Sequence, residues 1–233
     1  MQEPSREEIW KMFDQISCTY DRVNRFMTFG LDLFWRKRLA RFLPQGRPLD
    51  LLDGATGTGD QIFSLLDSKQ LINRAVGIDL SKEMLALAEK KCKRNETRVS
   101  FQEASLLAIP FDREVFDCVT LSFGIRNVTD VNLALCECFR VLKSGGRLLI
   151  LEGSLPQNRF FKKLFLFHLR CILPFIGTLI SKNKSAYRYL NKTIETFPCG
   201  EAFCTLLKEA GFAKVALHPM TFGSVTLYIG EKR

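Results

Sequence analysis

The chain has 233 residues and a formal net charge of +9, and 46% of its residues are hydrophobic. That length and composition support one substantial globular domain with a real core and exclude a disordered chain. The start, Met-Gln-Glu-Pro-Ser-Arg-Glu-Glu, has no apolar signal segment, and no apolar run reaches the roughly 18 residues of a membrane span, so a cytoplasmic protein is expected.

The first predicted element is a helix carrying Ile9, Trp10, Phe13 and Ile16 at helical spacing. Tyr20, Asp21, Asn24, Met27, Gly30 and Trp35 follow. This segment reads either as a lid with an aromatic core face or as a lid whose polar tips enter a pocket. Arg36, Lys37 and Arg38 read as a solvated face.

Leu49 to Asp60 runs Leu-Asp-Leu-Leu-Asp-Gly-Ala-Thr-Gly-Thr-Gly-Asp. It predicts a strand, a tight loop and a helix start. Gly57 and Gly59 can take positive φ and let the backbone press against a ligand. In a nucleotide-binding α/β domain this turn sits where the cofactor lies. A dinucleotide fingerprint wants a third small residue where this chain has Ile62, and the carboxylates of Asp53 and Asp60 would repel a pyrophosphate. The loop therefore suits S-adenosylmethionine, which is cationic and has no phosphate; a ligand-free structural turn is the alternative.

A second strand, Arg74 to Asp79, ends in an acid placed to accept hydrogen bonds from the two hydroxyls of a ribose. Ser81 suits the cap of the next helix, Lys82 to about Lys93, which turns Met84, Leu85, Leu87 and Ala88 inward. Val99 to Glu103 is strand three. In the loop after it, Ala104 to Phe111, Ser105 and Leu106 are placed to meet an adenine. Strand four, Val115 to Ser122, is an apolar run suited to a sheet covered on both faces. Arg126 and Asn127 follow at the carboxyl end of that strand, where ligands bind in open α/β sheets. A capping Asn beside a surface Arg is the competing reading. A helix from Asp130 to Leu142, a turn at Lys143-Ser144-Gly145-Gly146 and strand five, Arg147 to Glu152, complete this part.

The charge is uneven. Residues 1–48 carry nine basic and six acidic residues, 49–154 carry 13 and 15, and 155–233 carry 12 and four. Between Gly153 and Ile194 there are eight Lys or Arg and no acid. There, Pro156 to Lys182 interleaves Phe160, Phe161, Leu164, Phe165 and Phe167 with Arg159, Lys162, Lys163 and Arg170, and is broken by Pro174 and Gly177. It reads as a helical lid, as a surface that contacts anionic membrane, or both. A last helix to about Ala210 and strands near Ala213–Leu217 and Val225–Gly230 close the chain. The eight cysteines form no Cys-x-x-Cys and the two histidines are far apart, so neither a zinc site nor disulfides are expected. Cys118 and Cys171 lie in apolar runs, where buried free thiols are common. Near strand four, Ser122-Phe123-Gly124 matches no base-modifying motif, so nucleic acid is not an expected partner.

Five βα-type strands and a terminal pair fit a class I S-adenosylmethionine-dependent methyltransferase: α/β, Rossmann-like, seven strands, mostly parallel with an antiparallel terminal strand. The chain resembles, over nearly its whole length, the ubiquinone/menaquinone biosynthesis C-methyltransferase family. The resemblance rests on Tyr20-Asp21, Asn24, Met27, Gly30 and Trp35-Arg36; on Asp53, Ala55 and Gly57-Thr58-Gly59-Asp60; on Gly124, Arg126, Asn127 and Asp130; on Arg140-Val141-Leu142-Lys143 and Gly145-Gly146; and on Tyr187, Tyr189-Leu190, Ile194 and Phe197-Pro198. It departs from the family at Ser105, Gly153, Phe222, Ser224 and Tyr228.

The resemblance implies C-methylation of a polyprenylated quinol ring, demethylmenaquinol to menaquinol, with a benzoquinol of ubiquinone biosynthesis or another lipid or small molecule as the alternative acceptor. Arg126, Asn127, Tyr20 and Asp21 are the expected catalytic residues. Asp53, Gly57, Thr58, Gly59, Asp79, Ser105, Leu106 and Ser122 are the expected cofactor residues, with no metal. The expected organisation is one domain: a helical lid over 1–48, a cofactor-binding core over 49–154, a substrate- and membrane-facing helical insertion over 155–198, and a C-terminal helix and strand pair over 199–233. Peripheral contact with the inner face of the cell membrane is expected, and a homodimer is compatible with the sequence.

Overall fold

The computed structural model describes residues 8–68, 70–92, 96–172 and 184–233, the side chains of 184–188 excepted. The second half of the basic apolar stretch, with Pro174 and Gly177, and the side chain of Tyr187 lie outside the described residues.

The helices are α1 (Ile9–Met27), α2 (Leu31–Leu39), α3 (Asp60–Leu66), α4 (Lys82–Lys91), α5 (Val131–Val141), α6 (Arg159–Phe167), α7 (Lys184–Thr196) and α8 (Glu201–Glu209). The strands are β1 (Leu49–Gly54), β2 (Ile72–Asp79), β3 (Val99–Glu103), β4 (Phe116–Ser122), β5 (Leu142–Gly153), β6 (Lys214–Met220) and β7 (Val225–Glu231). They form one seven-stranded sheet of order β3-β2-β1-β4-β5-β7-β6. β1 to β5 pair in parallel, and β7 runs antiparallel between β5 and β6. This is the predicted class I methyltransferase sheet.

Side chains alternate across a strand, so neighbouring residues feed opposite cores. Leu52, Val119, Leu121, Leu148 and Ile150 pack with α5 and α8 through Leu135, Cys138, Phe203 and Leu207. Leu51, Cys118, Leu149 and Leu151 pack the other way, against Trp35 and Leu39 of α2 and Ile62 and Leu65 of α3. β4 is buried at every position, as a strand covered on both faces should be.

The largest boundary difference from the sequence expectation is at the start of β5. The predicted turn at 143–146 is drawn into β5, because Gly145 N–H bonds the Lys232 carbonyl and Lys232 N–H bonds the Gly146 carbonyl. The chain end thus supplies the pairing that a free turn would lack. Cys171 is exposed, unlike the buried Cys118: it lies at the outer face of the irregular helical turn His168–Ile172.

α1 does not join the sheet. It crosses the carboxyl edge of the sheet, with Ile9, Met12 and Ile16 against Tyr189, and with Val23 and Met27 against Leu169 and Ile194. The space between α1 and the sheet edge holds the site.

Candidate active site

The loop after β1 takes the backbone shape its glycines allow. Gly57 and Gly59 have φ of 55° and 79°, and α3 starts directly from Gly59. The loop after β4 meets it closely. A Cβ on Gly124 would lie 2.5 Å from the Ala55 Cβ, so only glycine lets the two loops touch. Phe123 beside it is held at φ 62°, a strained state for a residue with a side chain and one that clusters at functional sites.

These loops border a cavity of about 330 Å³, roofed by Ile9, Trp10, Phe13 and Tyr20 of α1 and lined below by Gly57, Asp79, Ser105, Leu106, Ser122 and Asn127. Asp79 accepts from Gly57 N–H at 2.8 Å through one carboxylate oxygen and from Ser81 N–H at 2.9 Å through the other. Each oxygen keeps a free lone pair for a further donor. Burial raises the Asp79 pKa, against hydrogen bonds from the backbone of Ser81, Gly57 and Leu80. Ser81 itself caps α4 through Met84 N–H. Ser105 Oγ accepts from Leu107 N–H at 3.1 Å, and Ser122 Oγ donates to Gln61 at 2.8 Å.

Asp53 lies beneath the loop, 1% exposed, accepting from Thr120 Oγ1 at 2.5 Å and Thr56 Oγ1 at 2.6 Å. Burial pushes its carboxyl up to about 6, opposed by those two hydrogen bonds and by the charge of Arg36. A buried carboxylate of this kind suits a cationic ligand.

Beyond the first cavity lies a second, of about 130 Å³, between α1, α2, the β4 tip and α6–α7. Arg126 borders it, as does Tyr20; a small cleft lined by Tyr20, Asn24, Arg126 and Asn127 lies beside it. Tyr20 is thus shared by all three spaces. Arg126 is buried on a single 3-10 turn (Ile125–Asn127). Its Nη1 donates to Glu152 Oε1 at 2.5 Å and to the Phe123 carbonyl at 2.7 Å, while its Nε has no partner among the described residues. Asn127 Oδ1 is also buried without a donor. Buried polar atoms are normally paired, so both can still take a hydrogen-bond partner. Burial raises the Tyr20 phenol, against a hydrogen bond from Asn24 and the charges of Arg126 and Arg36.

The expected residues are therefore brought together unevenly. Tyr20, Gly57, Asp79, Ser105, Leu106, Ser122 and Asn127 border the first cavity. Asp53, Thr58 and Gly59 shape its loop from behind. Asp21 is spent elsewhere: it accepts from Thr58 Oγ1 at 2.7 Å and pairs with Lys91, which also holds Asp60 at 2.9 Å. Asp21 pins the lid to the loop and borders none of the three spaces.

Arg36 is a correction. Lys37 and Arg38 are exposed, but Arg36 is 8% exposed and borders the second cavity. The helical period turns it inward with Trp35, one residue ahead of the solvent face. Glu152 was also missed; a lone acid ending an apolar strand gives no signal until its partner is known.

These residues fit S-adenosylmethionine. The Asp79 carboxylate has capacity for a ribose, the glycine loop leaves open space at Gly57, and Asp53 offers negative charge under the loop. Among the described residues no cluster of His, Cys, Asp or Glu is arranged to hold a metal ion.

The chain is similar to several known proteins. A demethylmenaquinone methyltransferase of Thermus thermophilus is 40% identical over 221 residues, covering 95% of this chain and 100% of its own. One of Bacteroides fragilis is 37% identical over 229 residues, covering 97% and 93%. The ubiquinone/menaquinone biosynthesis C-methyltransferase UbiE of Geobacter sulfurreducens is 40% identical over 228 residues, covering 97% and 89%. Among solved structures, an S-adenosylmethionine-dependent methyltransferase of Thermotoga maritima shares the fold, with a TM-score of 0.66 at 20% identity over 96% of this chain and 99% of its own. With residues 1–232 matched by that family's profile, the chain belongs to the ubiE/COQ5 methyltransferase family.

Proposed function

We propose that the protein methylates a ring carbon of a polyprenylated quinol, converting demethylmenaquinol to menaquinol with S-adenosylmethionine. The observation that carries this reading is Arg126, a buried guanidinium fixed by Glu152 with its Nε unpartnered, beside the orphaned Asn127 Oδ1 and next to the cofactor cradle.

When bound, S-adenosylmethionine supplies an activated methyl group. The protein's part is to align the acceptor and manage its charge. A quinol ring carbon becomes nucleophilic as a hydroxyl loses its proton and charge spreads into the ring. Arg126 stabilises the oxygen on which that charge develops. Asn127 Oδ1 accepts from a quinol hydroxyl. Arg126, a guanidinium with donors and no acceptor, is no base. Tyr20, with its phenol raised, stays protonated at neutral pH and donates a hydrogen bond. The proton then leaves through water, since Asp21 is committed to Lys91 and Thr58.

The lipid tail explains an unusual surface. α6 presents Phe160, Leu164 and Phe167 outward among Arg159, Lys162 and Lys163. Two turns extend it with exposed aromatics: Phe29, whose ring lies 6.0 Å from His168, and Phe222, stacked 4.3 Å from Phe161. No helix among the described residues is long and apolar enough to cross a membrane. Aromatics interleaved with basic side chains favour an anionic lipid surface over a second copy of this chain.

The test is mass spectrometry of the quinone pool in cells with and without the protein. Loss should leave a menaquinone precursor lighter by one methyl. An unchanged pool would end this reading.

A further inference from the structure

Arg36 is a buried cation with no ion-paired anion among the described residues. Its Nε has no hydrogen-bond partner, and its guanidinium makes no ion pair among the described residues. Its one described contact is the Phe123 ring, 5.5 Å away. The nearby carboxylates are hydrogen-bonded elsewhere: Asp32 to Arg25 and Thr28, Asp60 to Arg25 and Lys91, and Asp53 to the hydroxyls of Thr56 and Thr120. A buried guanidinium that feels carboxylates only at a distance, with a donor left unpaired, has room for one hydrogen-bonded anion from outside the chain.

The sheet order says where that anion comes from. The loop after β3 and the acid ending β2 form the nucleoside end of the cofactor cradle. The next strands in the sheet are β1 and then β4, so the amino-acid end of the cofactor belongs at the β1–β4 tips. Among the described residues no Lys or Arg borders the first cavity. Arg36 stands just past the β4 tip, behind Phe123. Gln61 ties it there, donating to the Arg36 carbonyl at 3.3 Å and accepting from Ser122 Oγ at 2.8 Å. The field of Arg36 reaches the same place, since it lowers the pKa of both Asp53 and Asp60.

We infer that Arg36 binds the carboxylate of the methionine moiety of S-adenosylmethionine. A planar guanidinium matches a carboxylate, and the pair neutralises a charge that the acidic loop would otherwise repel. A quinol hydroxyl, being neutral, would give Arg36 no ion pair. The inference rests on the cofactor assignment and not on the identity of the methyl acceptor.

Calorimetry on the full chain tests it, with S-adenosylmethionine and its decarboxylated analogue, which keeps the ammonium and lacks the carboxylate. Wild type should bind the complete cofactor about 30-fold more tightly. Arg36→Met should remove that difference, weakening the complete cofactor about 30-fold and the analogue less than about threefold. Arg36→Lys should fall between. Should Arg36→Met fail to fold, the wild-type pair and Arg36→Lys still decide. Equal loss for both ligands, no loss, or a raised acceptor KM at unchanged cofactor affinity would overturn the assignment. If wild type bound neither ligand, the cofactor reading itself would fall.

Discussion

Arg126 and Glu152 form an ion pair with side chains 6% and 1% exposed, and Glu152 also accepts from the Gly153 N–H. The pair joins the turn after β4 to the end of β5, so it fixes Arg126 from a rigid strand. Removing one member leaves the other buried and unpaired. Glu152→Ala should therefore lose about 3–5 kcal/mol of stability in denaturant titration. A loss below about 1 kcal/mol would mean that water reaches the pair.

Arg126→Lys keeps a charge beside Glu152 but loses the planar fork. It should fold, bind the cofactor normally and lose about 10²–10³ in kcat. Full turnover in this variant would remove Arg126 from the chemistry.

Asp53 gives the pH dependence. Its folded-state value, about 6, lies above the ordinary 3.8. Its contribution to the stability of the ligand-free protein is thus present below the ordinary value and lost as pH rises through about 6. A bound cation favours the carboxylate and reverses the sense. Cofactor affinity should rise about tenfold between about pH 5 and about pH 7.5, and Asp53→Asn should flatten the curve. An equally steep curve in the variant would assign the titration to another group.

Asp21 separates a latch from a base. Asp21→Asn should weaken the hold of α1 on the glycine loop, raising amide exchange across α1 and speeding cofactor release, with single-turnover methyl transfer changed less than about threefold. A single-turnover loss as large as that of an Arg126 variant would make Asp21 catalytic.

The basic apolar face predicts salt-sensitive flotation with anionic vesicles. Lys162→Glu with Lys163→Glu should abolish flotation and leave turnover on a short-tailed, soluble quinol intact, since both side chains are exposed. Flotation unaffected by salt and by these changes would place the contact elsewhere.

The sequence made much of this legible because local chemistry fixed it. Gly57 and Gly59 announce a turn of positive φ, Asp79 ends an apolar strand, and β4 reads as doubly covered from its composition. What it hid depends on contacts across long separations. Arg36 sits in a basic triplet whose two other members are solvated, and only the packing of Trp35 against the sheet shows which one turns in. Glu152 acquires meaning from Arg126, 26 residues away. Asp21, beside Tyr20 in sequence, points to Thr58 and Lys91, because successive helical positions face different ways.

Label transfer tests the central claim most directly. The protein is incubated with methyl-labelled S-adenosylmethionine and a short-tailed demethylmenaquinol, and the product is analysed by mass spectrometry and NMR. The account predicts the label on a ring carbon, with both ring oxygens still free to oxidise to the quinone. Label on oxygen, or none on the ring, would contradict it.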